Sequence, residues 1–373
     1  MERYLFIDRD GTLIVEPPDT QQIDSCERLK LLPRVISVLR WAQQVGGYQL
    51  VMITNQDGLG SESFPEERFW TIQRLLMDIF AAEGISWYGL HIDRSRSETP
   101  SFYRKPSPLL LLPYVEKGID RERSFVIGDR LTDMLLAQRL GLRGIWMANP
   151  IHSQEPLPFA YIVKSWPEIQ GLLRRRVFSI RLSRKTKETS VELFLSLYGE
   201  GQTSIQTGIG FFDHMLTLLA FHAGWDLELR AEGDLWVDPH HTVEDVAITL
   251  GQALYQLLRD KRGIHRYGQS VDAARWLPMD EAISVVAIDI SGRGLATWQL
   301  PLTESLGGIT PTLWKHFFET LAREAAITLH IQSRGEDAHH IVEAVFKGVG
   351  RALREALHRE GEAALVPSTK GSL

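Results

Sequence analysis

The sequence contains little cysteine, no long apolar run and no long basic run, and each absence excludes a class of protein. Cys26 is the single cysteine among 373 residues, which rules out an internal disulfide framework and a zinc site built on several thiolates. No stretch approaches the roughly 20 apolar residues of a membrane helix, and the apolar run near the N-terminus is too short for a signal peptide. A formal net charge of −6 argues against a general nucleic-acid-binding protein. We therefore expect a soluble, cytoplasmic chain that binds neither membrane nor nucleic acid.

The first 150 residues alternate short apolar stretches with helical patterns, which is typical of an α/β fold. Three of the apolar stretches end at Asp8, Thr54 and Asp129. Continuous apolar strands separated by helices indicate a doubly wound parallel sheet that is covered on both faces. Because ligands bind beyond the carboxyl ends of the strands in such sheets, we expect these three residues to lie at one site.

The composition changes after residue 148, where four prolines precede a run of arginines. The sequence that follows contains an internal repeat. We predict one domain at 1–168, a linker at 169–176 and a second domain at 177–373. Within the second domain, DPHHTVED and DAHHIVEA are offset by 99 residues. Such self-similarity predicts an α+β domain built from two copies of a sheet-and-helix unit.

Carboxylates follow the first predicted strand directly. Strand alternation puts Asp8 and Asp10 on the same side, so that one carboxylate can attack an electrophile while the other manages the proton. Two close carboxylates also attract a hard cation such as Mg²⁺, for which Asp129 and Asp133 offer further oxygen ligands. Donors to a phosphate group and a compensating cation are offered by Thr54, Asn55 and Lys105.

This ordered set resembles the haloacid-dehalogenase (HAD) superfamily of phosphatases over residues 1–165. The strings FIDRDGTLI and VMITNQDGLG look specifically like histidinol-phosphate phosphatase. The resemblance implies that Asp8 is the nucleophile and Asp10 the general acid and base. It also implies that Asp8, Asp10 and Asp129 hold Mg²⁺ and that Lys105 is the cation beside the phosphate.

Such phosphatases usually carry a zinc loop of cysteine and histidine just before the Lys-Pro pair. Here the corresponding stretch, 90–106, contains His91 but no cysteine. We therefore expect no structural zinc, and we interpret His91 as an ordinary loop residue.

The second domain repeats a histidine motif, HHxxE, that starts at His240 and again at His339. On a helix the glutamate lies near the face of either histidine, whereas the two adjacent histidines diverge by about 100° and would not readily serve one ion. Imidazole and carboxylate ligands without thiolate suit Mn²⁺, Zn²⁺ or Fe²⁺. One such motif alone is typical of a solvated helix start, but its duplication, with His214 and His316 upstream, favours metal binding.

These residues resemble imidazoleglycerol-phosphate dehydratase from about Arg181 to the C-terminus, in strings such as GIGFFDHM, HHTVED, KRGIHRYG and PSTKG. The resemblance implies a di-manganese site at subunit interfaces within a 24-subunit homo-oligomeric shell. The metal ligands that it implies are His214, His240, His241, Glu244, His316, His339, His340 and Glu343. The residues that it implies for substrate binding, mostly at the phosphate, are Glu188, Arg266, Arg293, Lys347, Ser368 and Lys370.

Together the two resemblances describe a bifunctional family of histidine biosynthesis. They imply dehydration of imidazole glycerol phosphate to imidazole acetol phosphate and hydrolysis of histidinol phosphate to histidinol, both reactions of small phosphorylated imidazoles. Glu188 and a metal-bound water are both candidates for the proton carrier in dehydration. Two alternatives remain for the first domain. Either it serves assembly, so that only the dehydratase is active, or it acts on another small phosphate ester.

Overall fold

The computed structural model describes residues 1–17, 22–57, 59–62, 64–95, 101–148, 156–258, 261–269, 277–359 and 366–371. The chain divides into two compact units, Met1–Val177 and Phe178–Leu373. Among the described residues, no helix is both long enough and apolar enough to span a membrane.

The first unit contains a six-stranded parallel sheet in the order β3-β2-β1-β4-β5-β6, which confirms the predicted doubly wound α/β fold. The strands are β1 (Arg3–Ile7), β2 (Tyr48–Asn55), β3 (Gly89–Asp93), β4 (Phe125–Gly128), β5 (Arg143–Met147) and β6 (Ala160–Val163). The α-helices are α1 (Val35–Gln44), α2 (Glu66–Ala82), α3 (Leu112–Glu116), α4 (Leu131–Arg139) and α5 (Trp166–Val177). Short 3-10 turns lie at Cys26–Arg28 and Leu109–Leu111.

Strand β1 occupies the middle of this sheet, between β2 and β4. Both β1 and β2 are almost wholly buried, which explains why their sequences are continuous apolar runs. Ile7 is in register with both Met52 and Ile127. The next residue, Asp8, therefore emerges at the centre of the carboxyl edge, where its backbone N–H donates to the Ile127 carbonyl oxygen at 2.9 Å.

Residues 169–176, which the proline and arginine content predicts as a linker, lie instead within α5. Pro167 occupies the first turn of this helix, where a backbone N–H has no partner within the helix, so the proline does not interrupt it. Buried apolar residues such as Ile169 pack α5 against α1. The arginine run is thus the last turn of a packed helix, and the chain passes from one unit to the other at Val177–Phe178.

The second unit contains two mixed sheets and four long helices among its described residues, in agreement with the predicted duplicated α+β fold. The first sheet has the order β7-β8-β10-β9 and comprises β7 (Ser179–Lys185), β8 (Thr189–Ser196), β9 (Thr203–Gln206) and β10 (Asp226–Gly233). The second has the order β11-β13-β15-β14, with β12 paired to β13, and comprises β11 (Tyr267–Gln269), β12 (Leu277–Met279), β13 (Ala282–Asp289), β14 (Leu295–Gln299) and β15 (Thr328–Arg334). The helices are α6 (Gly210–Ala223), α7 (His240–Leu258), α8 (Pro311–Ala325) and α9 (Ala338–Ala356).

The helices pair across the two repeats, since α6 packs on α9 and α7 packs on α8. Two glycines at equivalent positions allow the helices to approach closely. A Cβ at Gly251 of α7 would lie 3.0 Å from the Leu321 carbonyl oxygen, and a Cβ at Gly350 of α9 would lie 2.6 Å from the Leu219 carbonyl oxygen. Backbone atoms cannot yield as a flexible side chain does, so any larger residue would separate the helices.

Gly350→Ala should therefore destabilise the second unit, because the added Cβ would also lie 2.9 Å from His222 Cβ. We expect the free energy of unfolding to fall by about 1–3 kcal/mol, as for other overpacked contacts, and thermal unfolding measures it. The control is Gly210→Ala in α6, where an added Cβ meets no atom within 4 Å. An unchanged melting temperature for Gly350→Ala would contradict this description of the helix contact.

Candidate active sites

A buried ion-pair centre lies at the carboxyl edge of the parallel sheet. The Lys105 ammonium contacts the Asp8 carboxylate, lies 2.7 Å from Asp133 Oδ1 and donates to the Ile53 carbonyl oxygen at 3.2 Å. Asp8 is 7% exposed and Lys105 is 6% exposed. Asp8 follows β1, Asp133 stands in the first turn of α4 and Lys105 precedes α3, so the centre joins three segments that are distant in the sequence.

The charged groups of this centre shift one another's pKa values. Burial raises the pKa of Asp8 well above its usual value, and Lys105 opposes this shift whereas Asp133, Asp129 and Asp10 add to it. Burial alone would lower the pKa of Lys105, but the carboxylates of Asp133 and Asp8 outweigh burial and raise it. Lys105 therefore stays protonated, and the surrounding carboxylates retain an excess of negative charge that a further cation would neutralise.

The same carboxylates form a set that suits a divalent cation. Oxygen atoms of Asp8, Asp129 and Asp133 lie within 4.8 Å of one another, and all three residues are buried. Gly11, with a φ of +73°, brings the chain so close that a Cβ there would lie 2.3 Å from Asp129 Oδ2. Hard oxygen donors in such a cradle fit Mg²⁺. Asp133 belongs to this set, whereas Asp10, which the sequence predicts as a ligand, lies outside it.

Asp10 is held beside this set by an amide that sequence reasoning does not identify. Its Oδ2 accepts a hydrogen bond from Gln56 Nε2 at 2.5 Å and one from Arg9 Nη1 at 3.3 Å. Gln56 also donates to Thr54 Oγ1 at 2.8 Å, so that one side chain positions two predicted site residues. The only sequence signal for Gln56 is its place directly after Thr54 and Asn55.

The Asn55 amide binds the backbone of Lys105. Its Oδ1 accepts from the Lys105 N–H at 3.1 Å, and its Nδ2 donates to the Lys105 carbonyl oxygen at 3.3 Å. Asn55, which the sequence predicts at the phosphate, therefore positions the lysine. A cavity of about 290 Å³ opens at these residues, and its wall includes Arg104 and Arg130, each ion-paired with a neighbouring carboxylate.

The loop that leads to Lys105 is closed by hydrogen bonds to Asp93, which is buried at the end of β3. Asp93 accepts from the Ser95 N–H at 2.9 Å and from the Ser101 hydroxyl at 2.9 Å. Residues between these two serines, 96–100, are outside the described part of the chain. Ser101 Oγ accepts in turn from the Arg104 N–H at 3.2 Å. Asp93 thus ties both ends of the loop together and holds the residue next to the buried lysine.

His91 lies in strand β3 and not, as predicted, in a loop. Its Nε2 is 2.8 Å from the Tyr114 hydroxyl, and burial lowers its pKa. No possible metal-ligand cluster among the described residues includes it.

The second unit contains two clusters of two histidines and one glutamate. The members are His214, His339 and Glu343 in one cluster and His240, Glu244 and His316 in the other. His214 Nε2 lies 3.3 Å from Glu343 Oε1, and His316 Nε2 lies 3.2 Å from Glu244 Oε1. Each cluster combines both repeats because α6 packs on α9 and α7 packs on α8. In each, the potential ligand atoms lie within 4.8 Å of one another, and these donors suit Mn²⁺, Zn²⁺ or Fe²⁺.

His241 and His340, which the sequence also predicts as ligands, lie outside both clusters. His241 Nδ1 is 3.1 Å from Asp234 Oδ2, and His340 Nδ1 is 2.7 Å from Glu281 Oε2. These hydrogen bonds raise the pKa of each histidine. A carboxylate at one ring nitrogen is the usual way in which proteins orient a histidine whose other nitrogen binds a metal. Adjacent residues of a helix point about 100° apart. His241 and His340 therefore point away from the clusters that contain the preceding histidines, His240 and His339, as the sequence predicts.

Part of the predicted substrate-binding set lies together beside the C-terminal segment. Arg266 binds Asp289 with two hydrogen bonds, of 2.8 and 3.2 Å, and donates to the Pro367 carbonyl oxygen at 3.0 Å. Ser368 follows directly, and its hydroxyl accepts from the Lys370 N–H at 3.2 Å. The described contacts thus place Arg266 and the segment with Ser368 and Lys370 side by side.

The remaining predicted residues are more dispersed. Lys347 Nζ lies 3.5 Å from Glu343 Oε1 and therefore at one of the two clusters. Glu188 is exposed in the turn before β8. Arg293 is exposed after β13, where its backbone N–H donates to Ser291 Oγ at 3.2 Å.

Comparison with known proteins accounts for both units. The family model for imidazoleglycerol-phosphate dehydratase matches residues 207–353, and a HAD-hydrolase-like family model matches residues 102–166. A solved structure of IGPD from Pyrococcus furiosus in complex with (S)-C348 covers 52% of this chain and 100% of its own, at 38% identity and a TM-score of 0.44.

Two curated relatives match over the full length of both chains. The histidine biosynthesis bifunctional protein HisB of Spirosoma linguale is 42% identical, and its namesake in Bacteroides fragilis is 41% identical, each with 100% of both chains covered. These findings confirm the predicted combination of two enzymes in one chain. The chain belongs to the family of bifunctional histidine-biosynthesis proteins, in which a HAD-type phosphatase is joined to an imidazoleglycerol-phosphate dehydratase.

Proposed function

We propose that the first unit hydrolyses histidinol phosphate to histidinol. The observation that carries this assignment is the buried centre in which Lys105 contacts the Asp8 carboxylate beside Asp129 and Asp133. These three carboxylates would hold Mg²⁺, which, when bound, neutralises negative charge on the phosphate group. Thr54, at the cavity wall, offers a hydroxyl to the phosphate oxygens.

Asp8 and Asp10 divide the chemistry between them. Asp8 attacks phosphorus, and an aspartyl phosphate forms as the bond from phosphorus to the histidinol oxygen breaks. Asp10 donates a proton to that oxygen, and it then removes a proton from the water that hydrolyses the aspartyl phosphate. The hydrogen bond from Gln56 to Asp10 Oδ2 supports this division, because it holds the Asp10 carboxylate at the wall of the cavity that Asp8 also lines.

The second unit, in this proposal, dehydrates imidazole glycerol phosphate to imidazole acetol phosphate. The supporting observation is the pair of His₂Glu clusters, which would hold two Mn²⁺ ions. When bound, such ions withdraw electrons from the substrate imidazole and acidify the adjacent C–H. Glu188 removes that proton and returns a proton to the neighbouring hydroxyl, which leaves as water as its C–O bond breaks, and the resulting enol tautomerises to the ketone. Positive groups and a hydroxyl bind the substrate phosphate, namely Arg266, Arg293, Lys347, Ser368 and Lys370.

The same proposal assigns His241 and His340 to metal sites of neighbouring subunits in a 24-subunit shell. Each is oriented through Nδ1 by a carboxylate and lies outside the clusters of its own chain. Each cluster supplies three ligands, and a histidine from another copy would add a further one. Assembly would thus complete the sites.

Two substitutions separate the two activities. Asp8→Asn should abolish hydrolysis of histidinol phosphate and leave dehydration unchanged, because only the first unit loses its nucleophile. His241→Ala should abolish dehydration and leave hydrolysis unchanged. Steady-state assays of both substrates on both variants test this assignment. A wild-type chain with no Mg²⁺-dependent hydrolysis of histidinol phosphate would instead favour an assembly role or another phosphate ester for the first unit.

Asp93→Ala should loosen the loop before Lys105 and lower kcat for hydrolysis by about tenfold, since misplacement of a group by 1 Å costs up to about 10² in rate. The dehydratase activity of the same preparation is the internal control. Added zinc should not increase hydrolysis by the wild type or by the variant, because the loop is held by hydrogen bonds. Hydrolysis at the wild-type rate would show that Asp93 does not position the lysine.

Metal content and mass test the second unit. We expect about two transition-metal ions per chain, removable by a chelator, and fewer than about one would contradict the paired clusters.

Light scattering should give a particle of about 1 MDa, as expected for 24 chains of 42.4 kDa. His241→Ala should reduce the metal content and the particle mass together, and a monomeric or dimeric wild type would rule out the shell.

A further inference from the structure

The turn that carries Glu188 is tied to helix α7 by one carboxylate. Asp245, 7% exposed, binds Arg184 Nε at 2.8 Å and accepts hydrogen bonds from the hydroxyls of Thr189 and, at 3.5 Å, Thr186. All three donors belong to the hairpin that joins β7 to β8. All described donors to this buried carboxylate therefore come from one hairpin. Because a buried carboxylate needs such donors, these hydrogen bonds hold the hairpin against α7.

The turn is also closed internally. The Thr186 N–H donates to the Thr189 carbonyl oxygen at 2.9 Å, and Thr186 Oγ1 accepts from the Glu188 N–H at 3.2 Å and from the Thr189 N–H at 3.0 Å. No hydrogen bond among the described residues uses the Glu188 carboxylate. The backbone of Glu188 is therefore fixed while its carboxylate remains available.

Asp245 follows Glu244 directly, so α7 presents a metal-cluster residue and holds the Glu188 turn through adjacent positions. The position of Glu188 relative to α7, which carries His240, His241 and Glu244, then depends on the rigid helix and not on the flexibility of a surface turn. This arrangement can set the distance between a proton carrier and a substrate bound at the proposed metal ligands of α7.

In the described part of the second repeat, no aspartate of the histidine helix holds the corresponding turn. Glu281 directly precedes β13, just as Glu188 directly precedes β8. The Glu281 carboxylate, however, accepts hydrogen bonds from the Asp337 N–H at 2.9 Å and from His340 Nδ1 at 2.7 Å. Its carboxylate is thus occupied, and Ala344 stands at the position equivalent to Asp245. Among the described residues, the first repeat alone combines an available glutamate with a carboxylate that holds its turn.

We propose that Asp245 is a positioning residue of the dehydratase reaction, which fixes the turn so that Glu188 reaches the substrate. The inference rests on the proposed role of Glu188 as the proton carrier. It predicts a loss in turnover without a matching loss in substrate or metal binding.

The experiment compares Asp245→Ala, Asp245→Asn and Thr189→Val in the full-length, metal-loaded chain. We expect Asp245→Ala to lower kcat about 30- to 100-fold, with KM for imidazole glycerol phosphate and metal content per chain unchanged within about threefold. Asp245→Asn keeps an acceptor for the threonine hydroxyls and should restore part of the loss. Thr189→Val removes a single donor and should lower kcat about three- to tenfold.

The matched control is Asp226→Ala. Asp226 Oδ1 accepts from the backbone N–H groups of Glu200 at 2.8 Å and Gln202 at 3.0 Å, so it also holds a turn, but one that carries no proposed site residue. Its kcat should stay within about twofold of wild type. A loss no larger for Asp245→Ala than for Asp226→Ala would overturn the proposal, and so would loss of metal together with kcat.

Glu188→Gln separates this inference from the function on which it rests. If Glu188→Gln is inactive while Asp245→Ala and Thr189→Val retain kcat, the positioning role alone is wrong. If Glu188→Gln retains kcat, the proton-carrier assignment fails and the positioning role fails with it. Should Asp245→Ala not fold, the milder Asp245→Asn and Thr189→Val variants carry the same test.

Discussion

The close contact between helices of opposite repeats is the constraint on which the second unit depends. α6 packs on α9 and α7 on α8, and Gly251 and Gly350 lie at points where the partner helix leaves no room for a Cβ. Because each histidine-rich cluster takes its potential ligands from both helices of a pair, neither repeat contains a complete cluster among the described residues. The same helix contact, formed twice, therefore produces two equivalent clusters. Loss of contact between paired helices would expose apolar side chains and would also move the members of a cluster apart.

The first unit is organised by charge. Its central carboxylates are buried at the edge of a sheet, where mutual repulsion and the loss of water both oppose ionisation. Lys105 offsets part of this cost, and its own position is set by Asn55 at the backbone and by the loop that Asp93 closes. The remaining negative charge is charge that the proposed divalent cation would neutralise before an anionic substrate approaches Asp8. Residues with no direct role in the chemistry thus decide whether the centre can form.

The sequence predicts those parts of the molecule whose burial leaves a recognisable pattern of apolar residues. β1 and β2 are buried on both faces and read as continuous apolar runs, so the sheet and the position of Asp8 are predictable. β3 and β6 are edge strands with mixed burial, and their sequences carry no comparable run. Contacts such as Gln56 with Asp10, or the division of ligands between paired helices, depend on how distant segments meet. No spacing along the chain encodes such contacts.

Duplication preserves ligand positions more strictly than the partners that orient them. His241 and His340 both receive a carboxylate at Nδ1, but Asp234 supplies it in the first repeat and Glu281 in the second. The connection from the strand to the histidine helix is three residues shorter in the second repeat, 335–337 against 234–239. Glu336 follows Gly335 as Asp234 follows Gly233, but the described hydrogen bond to His340 Nδ1 comes from Glu281 and not from Glu336. Glu281 therefore takes over the orienting role. In the first repeat Asp234 contacts His241, and no hydrogen bond among the described residues uses the carboxylate of Glu188, the proposed proton carrier. The carboxylate that contacts the second histidine, and not the HHxxE motif that the repeats share, thus distinguishes the two equivalent glutamates, because Glu281 is occupied by His340 and Asp337.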